Sequence, residues 1–298
     1  MGDQRVVPDF FVIGAYRSGT TFLYRSVGQH PDVFVPIIKE PNFFAVHDNR
    51  AATPELLARS VTEPHRYDDL YRAAGPTQRT GDMSPEYLRN PAAPARIHRS
   101  RPEAPLVAIL RNPVDRAWSD YLMHRSRGTE RCPTFAQALE QQASRAHGTD
   151  RSGPNYLDSG RYHEQLTRYF RCFDADQLLV LLYDDLLMDP GAVVRRVFEH
   201  IGVDPSIEVV LADGVNAGGA PKNALVESAL RAKAAVAPRV SPKIAARVGP
   251  LWQRVLRRGL TKTTLEDADR HALREIYSAD VEALQVLINR DLSHWLAD

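Results

Sequence analysis

The sequence predicts an α/β fold in which helices flank a central parallel sheet. Three times, an apolar run of four to six residues leads through a short polar turn into a stretch with helical spacing. Apolar strands that alternate with helices are typical of parallel sheets covered on both faces. Ligands of such sheets bind at the carboxyl ends of the strands, and polar residues follow all three runs. These three junctions are therefore the places where a functional site is expected.

The first junction joins a predicted strand over Phe10–Ile13 to a predicted helix over Thr20–Gln29. The turn and the first helical residues read GAYRSGTT, which is similar to the nucleotide-triphosphate loop G-x-x-x-x-G-K-[ST]. Thr20 stands where that loop has a lysine, and the cation here is Arg17. Backbone N–H groups and the helix N-terminus can still hold an anion. These residues predict an anion-binding loop that lacks the lysine with which such loops usually bind a magnesium-bound triphosphate.

The second junction follows a predicted strand over Leu106–Leu110 and begins with Arg111. The next two residues, Asn-Pro, suit the N-cap and the first position of a helix. An ATP-dependent enzyme with a phosphate loop usually has a magnesium-binding Asp at this strand end, whereas a guanidinium binds an anion directly. Ser119, two helical turns later, can donate a second hydrogen bond. Alternatively, Arg111 caps the helix through an ion pair, for instance with Asp115.

The third predicted strand is Leu178–Tyr183, which precedes two aspartates and a helix from about Gly191 to Ile201. Ser228–Lys262 differs from the rest of the chain because it carries nine Lys or Arg and no Asp or Glu. It is either a solvated basic face or a rim that faces an anionic acceptor or a membrane surface. Helical spacing predicts further helices over 66–74, 91–100, 135–145, 162–170 and 265–292.

Length, charge and cysteine count exclude several classes of protein. The 298 residues suffice for one large α/β domain, and 38 Lys and Arg nearly balance 37 Asp and Glu. Two cysteines are too few for a disulfide framework or a cysteine-based metal site. No apolar run approaches the roughly 18 residues of a membrane span, and we see no secretory leader. We expect a cytoplasmic protein with no transmembrane segment and no nucleic-acid partner, since only Ser228–Lys262 is basic.

Four segments, in order along residues 9–225, resemble the motifs of sulfotransferases that use 3′-phosphoadenosine 5′-phosphosulfate (PAPS). FFVIGAYRSGTTFLYRSV resembles their 5′-phosphosulfate loop, and LVAILRNPVDRAWSDY their 3′-phosphate-binding segment. LLVLLYDDLLMDP resembles the later strand whose tyrosine contacts the adenine region, and GVNAGGAPKN the loop that closes over the 3′-phosphate. KEPNFF and RDLSHWL suit the bacterial and carbohydrate-type branch of the family.

The resemblance implies one P-loop-like sulfotransferase domain over residues 1–298. Its core would be residues 9–225, followed by a variable basic helical segment at 228–262 and a C-terminal helix at 265–292. PAPS would be the co-substrate, with no metal required. The implied PAPS-binding residues are Arg17, Ser18, Gly19, Thr20, Thr21, Arg111, Ser119, Tyr183, Lys222 and Asn223.

The resemblance also implies three catalytic residues. Glu40, in KEPNFF, matches the glutamate that serves as the base in heparan-type sulfotransferases. Arg17 would stabilise the charge on the departing 5′-phosphate, and Lys39 either supports the leaving group or pairs with a carboxylate. The alternative bases are His47 and His124, in which case Glu40 is a surface residue before a proline turn.

One segment departs from the family pattern. GDMSPEYL, residues 81–88, is similar to the acceptor-cleft segment G-E-K-[ST]-P-x-Y, but Met83 replaces the lysine of several carbohydrate members. That replacement argues against an acceptor mode that relies on the lysine. Ser84 and Tyr87 either line the cleft or belong to a capped turn packed in the core.

The expected function is transfer of a sulfuryl group from PAPS to a hydroxyl of a sugar, a secondary metabolite or a lipid-linked alcohol. A small-molecule kinase with an atypical loop is an alternative, and it would bind ATP with magnesium. A non-catalytic nucleotide-binding module is another, and Glu40 would be dispensable in it. The sequence determines neither the acceptor nor the oligomeric state, for which a homodimer stays open.

Overall fold

The structure, a computed structural model, describes residues 7–47, 52–146, 154–211, 220–221, 224–236, 260–261 and 263–297. The chain divides into two compact units. The first comprises Met1–Pro113, Arg161–Val215 and Tyr277–Asp298, and the second comprises Val114–Gly160 and Asn216–Ile276. The single domain expected over residues 1–298 stays a prediction.

The first unit contains a five-stranded sheet whose paired strands are all parallel. Its strands are β1 (Phe10–Gly14), β2 (Val33–Phe34), β3 (Arg79–Asp82), β4 (Leu106–Leu110) and β5 (Leu178–Leu182). The strand order is β2-β3-β1-β4-β5. Phe10 pairs with Gly81, and the β4–β5 ladder runs from Leu106↔Leu178 to Leu110↔Leu182. The predicted parallel sheet is thus confirmed.

Helices cover the sheet, as the alternating pattern predicts. In the first unit they are α1 (Thr20–Val27), α2 (Phe43–Val46), α3 (Pro54–Ala58), α4 (Pro64–Asp69), α5 (Glu86–Arg89), α6 (Ala93–Ser100), α9 (Tyr162–Phe170), α10 (Tyr183–Met188) and α11 (Pro190–Ile201). The second unit contains α7 (Pro113–Arg127) apart from its first residue, α8 (Phe135–Ala146) and α12 (Ala224–Val236), and α13 (Asp267–Ile288) begins in the second unit and continues into the first.

The core of the first unit lies on the two faces of β1, all of whose residues are buried. On one face, Phe10 belongs to a cluster with Leu23 of α1 and Val193 of α11. On the other face, the ring of Phe11 lies edge-on to Phe44 and Tyr87, with centroids 5.5 and 6.4 Å away. Burying each such side chain contributes about 1.5–3 kcal/mol. The sheet is therefore a rigid base for the residues at its carboxyl edge.

Several element ends differ from those expected. Helix α1 ends at Val27 rather than Gln29, because a turn begins at residue 28. Tyr183 is the first residue of α10 rather than the last of its strand. The helix expected over 66–74 starts earlier, at a proline, and ends at Asp69. The helix expected over 265–292 ends at Ile288, because Asn289 adopts a left-handed φ of 50°.

In the second unit, α7 and α8 are followed along the chain by β6 (Ala220–Pro221), α12 and β7 (Leu260–Thr261), and the two strands form a short antiparallel pair. Arg116 of α7 is fully buried. Its Nη2 donates to the Tyr156 carbonyl, and its Nη1 lies 3.4 Å from Asp120 Oδ2. Asp115, the ion-pair partner considered for Arg111, forms an ion pair with Arg270, whose Nη1 lies 3.1 Å from Asp115 Oδ1. Among the described residues, no helix has both the length and the apolar character to cross a membrane.

Candidate active site

The loop between β1 and α1 has a backbone suited to holding an anion. Arg17 and Gly19 adopt positive φ values of 64° and 104°. A Cβ on Gly19 would lie 2.7 Å from Cδ2 of Leu186, the end of a flexible side chain, so the positive φ is the main reason for glycine there. The N–H groups of Phe22 and Leu23 donate to the Gly19 carbonyl, which starts the helix. The N–H groups before them have no intrahelical acceptor and can bind a ligand.

The loop side chains differ in what they offer. Ser18 is fully buried, and its hydroxyl donates to the Tyr16 carbonyl at 3.4 Å. Thr20 is buried, whereas Thr21 is exposed at the start of α1. Ser18 therefore offers a ligand its backbone rather than its hydroxyl, which is turned to the loop itself.

Arg111 joins the ends of three strands. Its Nη1 donates to the carbonyl of Arg17 at 3.3 Å, and its guanidinium carbon lies 4.7 Å from the ring centroid of Tyr183. Burial raises the pKa of Tyr183, while the charges of Arg111 and Arg17 oppose that rise, so the phenol stays neutral. A guanidinium over an aromatic face is worth about 0.5–1 kcal/mol. Three predicted site residues thus meet at one edge of the sheet.

Lys39 and Glu40 form an ion pair beyond the end of β2. Lys39 Nζ lies 2.5 Å from Glu40 Oε1, and the side chains keep 20% and 29% of their exposure. The pairing role considered for Lys39 is the one it has here. The amide of Asn42 donates to the Glu40 carbonyl at 3.0 Å, so the backbone that carries the carboxylate is anchored.

Asp82, at the end of β3, was not among the site residues that the sequence predicted. This carboxylate has no exposed surface and accepts hydrogen bonds from Ser84 at 2.6 Å, Tyr87 at 2.6 Å and Tyr67 at 2.7 Å. Burial raises the pKa of Asp82 to about 6, against the effect of the three hydroxyl donors, and the charge of Glu40 adds to the rise. The acidic second position of GDMSPEYL, which matches the glutamate of the family pattern, was the signal that could have found it.

The Asp82 network reaches the segment that carries Glu40. Ser84 donates to Asp82 and accepts, at 3.0 Å, from the backbone N–H of Asn42. Ser84 and Tyr87 are fully buried, so of the two interpretations the structure favours the packed turn over the cleft lining. Met83 is buried in the core cluster that contains Phe10.

A second buried carboxylate lies beside the loop. Glu86 accepts from the Tyr16 hydroxyl at 3.1 Å and from Arg59 at 2.7 Å, and Arg89 binds it with two hydrogen bonds of 2.9 Å. The two guanidinium carbons lie 5.6 and 5.4 Å from the ring centroid of Tyr16. Burial, followed by the charge of Glu86, raises the pKa of Tyr16, which therefore keeps its proton. This cluster fixes the loop immediately before Arg17.

The remaining predicted residues have surroundings of their own or fall outside the described ranges. Ser119 is a half-buried residue of α7 in the second unit. His47 stacks on Phe43 with centroids 4.6 Å apart, and His124 Nδ1 lies 2.9 Å from Thr129 Oγ1. Lys222, Asn223 and most of the basic segment 228–262 fall outside the described residues. The part of the chain that the structure describes contains no group of three or more His, Cys, Asp or Glu able to hold a metal ion.

Comparison with known proteins points to one family. A sequence profile of the sulfotransferase family matches residues 8–206. Mouse heparan sulfate glucosamine 3-O-sulfotransferase 3B1 is 28% identical over 202 residues, which are 67% of this chain and 47% of that protein. Human heparan sulfate glucosamine 3-O-sulfotransferase 6 is 30% identical over 205 residues, which are 67% of this chain and 54% of that protein. The chain thus spans about half the length of the curated relatives it matches.

Solved structures show the same fold. A sulfotransferase from Alicyclobacillus acidocaldarius is 25% identical with a TM-score of 0.75, and the match covers 98% of this chain and 100% of that one. A mouse sulfotransferase complexed with 3′-phosphoadenosine 5′-phosphate (PAP) is 14% identical to this chain, with a TM-score of 0.52. The match covers 92% of this chain and 85% of that one. These matches confirm the expected P-loop-like fold.

Proposed function

The chain belongs to the sulfotransferase family, and on that premise we propose that it transfers the sulfuryl group of PAPS to a hydroxyl of an acceptor. The observation that carries the proposal is the position of Arg111, which contacts both the carbonyl of Arg17 and the ring of Tyr183. This arrangement sets two guanidinium-bearing residues, an aromatic ring and the amino end of a helix at one sheet edge. A nucleotide with phosphates at its 3′ and 5′ positions needs that set of groups.

The donor set fits PAPS in its chemistry. Arg111 offers a planar fork of N–H donors for a phosphate, and the loop offers backbone N–H groups for a second anion. The ring of Tyr183 offers an apolar face to a base. Further contacts from Ser119, Lys222 and Asn223 are part of the proposal. PAPS supplies an activated sulfuryl group, and this chain's residues bind and orient it.

Glu40 is the proposed base. Its carboxylate takes the proton of the acceptor hydroxyl as the oxygen forms a bond to sulfur and the bond from sulfur to the 5′-phosphate oxygen breaks. 3′-Phosphoadenosine 5′-phosphate (PAP) leaves with the bonding electrons, and Arg17 with the loop N–H groups stabilises the charge that it gains. Lys39 Nζ, 2.5 Å from Glu40 Oε1, holds that carboxylate in place before the transfer, and assistance to the leaving group is its second proposed role.

A sugar hydroxyl is the proposed acceptor class, and a secondary metabolite or lipid-linked alcohol is the second choice. The support is the names of the relatives, among them carbohydrate sulfotransferase 15 of mouse, which is 24% identical over 260 residues. A bacterial origin, a cytoplasmic location and a homodimer stay predictions from the sequence.

The first test is a thermal-shift titration with PAP in EDTA, compared with ATP plus magnesium. A ligand at a hundred times its dissociation constant adds about 2.7 kcal/mol of stability. We expect stabilisation by PAP without metal, and a loss of roughly 10- to 150-fold in affinity for Arg111→Ala, which removes a charge-assisted donor worth about 1.5–3 kcal/mol. Arg195→Ala is the matched control, because Arg195 is an exposed arginine of α11. If ATP with magnesium stabilises the protein and PAP does not, the result would favour the kinase alternative.

The second test addresses catalysis. With PAPS and a panel of glucosamine oligosaccharides, a glycolipid and a phenol, Glu40→Gln should lose turnover by about 100-fold or more while PAP binds as before. Glu199→Gln, at an exposed glutamate of α11, is the control. Undiminished turnover in Glu40→Gln would rule out Glu40 as the base and leave His47 and His124 as candidates.

A further inference from the structure

Residues 290–296, called here the docking segment, lie against the ends of β4 and β5. The indole Nε1 of Trp295 donates to the carboxylate of Asp184 at 2.8 Å. The amide of Asn112 donates to the carbonyl of Trp295 at 3.1 Å. Trp295 is 1% exposed and Leu292 is fully buried, so the segment is packed in place rather than lying loosely on the surface. One residue thus bridges the two strand ends.

The bridge lies just beyond the last hydrogen-bonded pair of β4 and β5. The β4–β5 ladder ends at the pair Leu110↔Leu182. Arg111 and Tyr183 come immediately afterwards, so the ladder does not fix the 4.7 Å contact between the guanidinium and the ring. Asn112 follows Arg111 directly and Asp184 follows Tyr183 directly. Trp295 therefore connects the nearest neighbours of both stacked residues.

A second contact supports the same connection. Arg290 donates two hydrogen bonds to Asp185, at 2.9 and 3.2 Å, and bidentate pairs of this kind are geometrically specific. Burial alone would raise the pKa of Asp185, but the hydrogen bonds and charge of Arg290 hold it below its usual range. Asp185 Oδ2 also lies 3.4 Å from the N–H of Leu182, so α10 is tied both to its strand and to the docking segment.

We propose that Trp295 is a positioning residue for nucleotide binding, because it holds Arg111 and Tyr183 in their stacked arrangement before the nucleotide arrives. This inference rests on the proposed function. A preformed stack avoids the loss of side-chain freedom that binding would otherwise require. The docking segment acts on affinity for the nucleotide and leaves the Lys39–Glu40 side of the site unchanged.

The test is calorimetric titration of purified full-length variants with PAP, which needs no acceptor. Trp295→Phe keeps a buried ring and removes the N–H donor, and it should weaken PAP binding roughly fivefold to tenfold. Ile201→Val, in the core at the end of α11, is the stability control: it should lower Tm without changing PAP affinity. His294→Ala is the local control, because that exposed histidine lies 3.3 Å from the same Asp184 oxygen without bridging the strands.

A second pair of variants covers the case in which Trp295→Phe fails to fold. Asp184→Ala should weaken PAP binding as Trp295→Phe does, and Asp184→Asn, which keeps an oxygen acceptor, should recover most of the loss. The inference is overturned if Trp295→Phe binds PAP within twofold of wild type, or if Asp184→Asn and Asp184→Ala bind equally. Failure of the wild-type protein to bind PAP would instead overturn the proposed function, and the inference with it.

Discussion

Asp82→Asn should change the way in which the stability of this protein depends on pH. The wild-type carboxylate is fully buried, and its pKa rises from 3.8 to about 6 in the folded state. A raised pKa means that folding favours the protonated form. The stabilisation from this group is therefore fully present below pH 3.8 and is lost as the pH rises through about 6.

The size of the effect follows from the two pKa values. Each tenfold change in a protonation equilibrium is worth about 1.4 kcal/mol, so the full difference between acidic and neutral pH is about 3 kcal/mol. Lowering the pH from 7 to 5, a range that avoids general acid unfolding, should raise the free energy of unfolding by about 1 kcal/mol through this group. Asparagine does not titrate, and hydroxyl groups can rotate to accept from its amide. The variant should therefore lack this contribution at every pH.

The assay is urea unfolding of both proteins at pH 7, 6 and 5. The stability of wild type relative to Asp82→Asn should grow by about 1 kcal/mol as the pH falls. Asp185→Asn is the control: the pKa of Asp185 is lowered, so its contribution is lost only as the pH falls below the usual carboxyl range and stays constant here. A difference between wild type and Asp82→Asn that is flat from pH 7 to pH 5, or that shrinks, would refute the reasoning.

Three further substitutions probe the site. Gly19→Ala should destabilise the protein by about 1–2 kcal/mol in urea, because a Cβ is strained at a φ of 104° and the side chain of Leu186 must shift away from it; an unchanged midpoint would contradict this. Tyr183→Leu should weaken PAP binding by roughly threefold to tenfold in calorimetry, since Arg111 loses its aromatic face; equal affinity would show that the stack is dispensable. Ser84→Ala should lower kcat with PAP affinity unchanged, because the N–H of Asn42 loses its acceptor; a change in PAP affinity alone would place Ser84 in nucleotide binding.

The site has two sides that are held by different contacts, so variants on the two sides should change different measured quantities. Arg111, Tyr183 and the docking segment lie at the β4–β5 ends, whereas Glu40 is tied through Asn42 and Ser84 to the end of β3. Substitutions at the first group should change the affinity for the nucleotide. Substitutions at the second should change the rate of transfer.

The sequence by itself determined the local structure and the chemistry of the strand ends. Apolar runs located β1, β4 and β5 to within one residue, because buried strands need uninterrupted apolar side chains. The polar residues that follow the first two runs pointed to Arg17 and Arg111, since a strand end fixes where the next side chain must lie. The family resemblance added Tyr183, Glu40 and the identity of the nucleotide.

Only the tertiary structure decided which of these residues meet. The strand order β2-β3-β1-β4-β5 puts β1 beside β4, and this brings Arg111 to a carbonyl 94 residues away. Trp295 donates to Asp184 across 111 residues, and Tyr67 donates to Asp82 across 15. Local propensity acts over a few residues along the chain, whereas these contacts depend on how the sheet and the segments packed on it assemble.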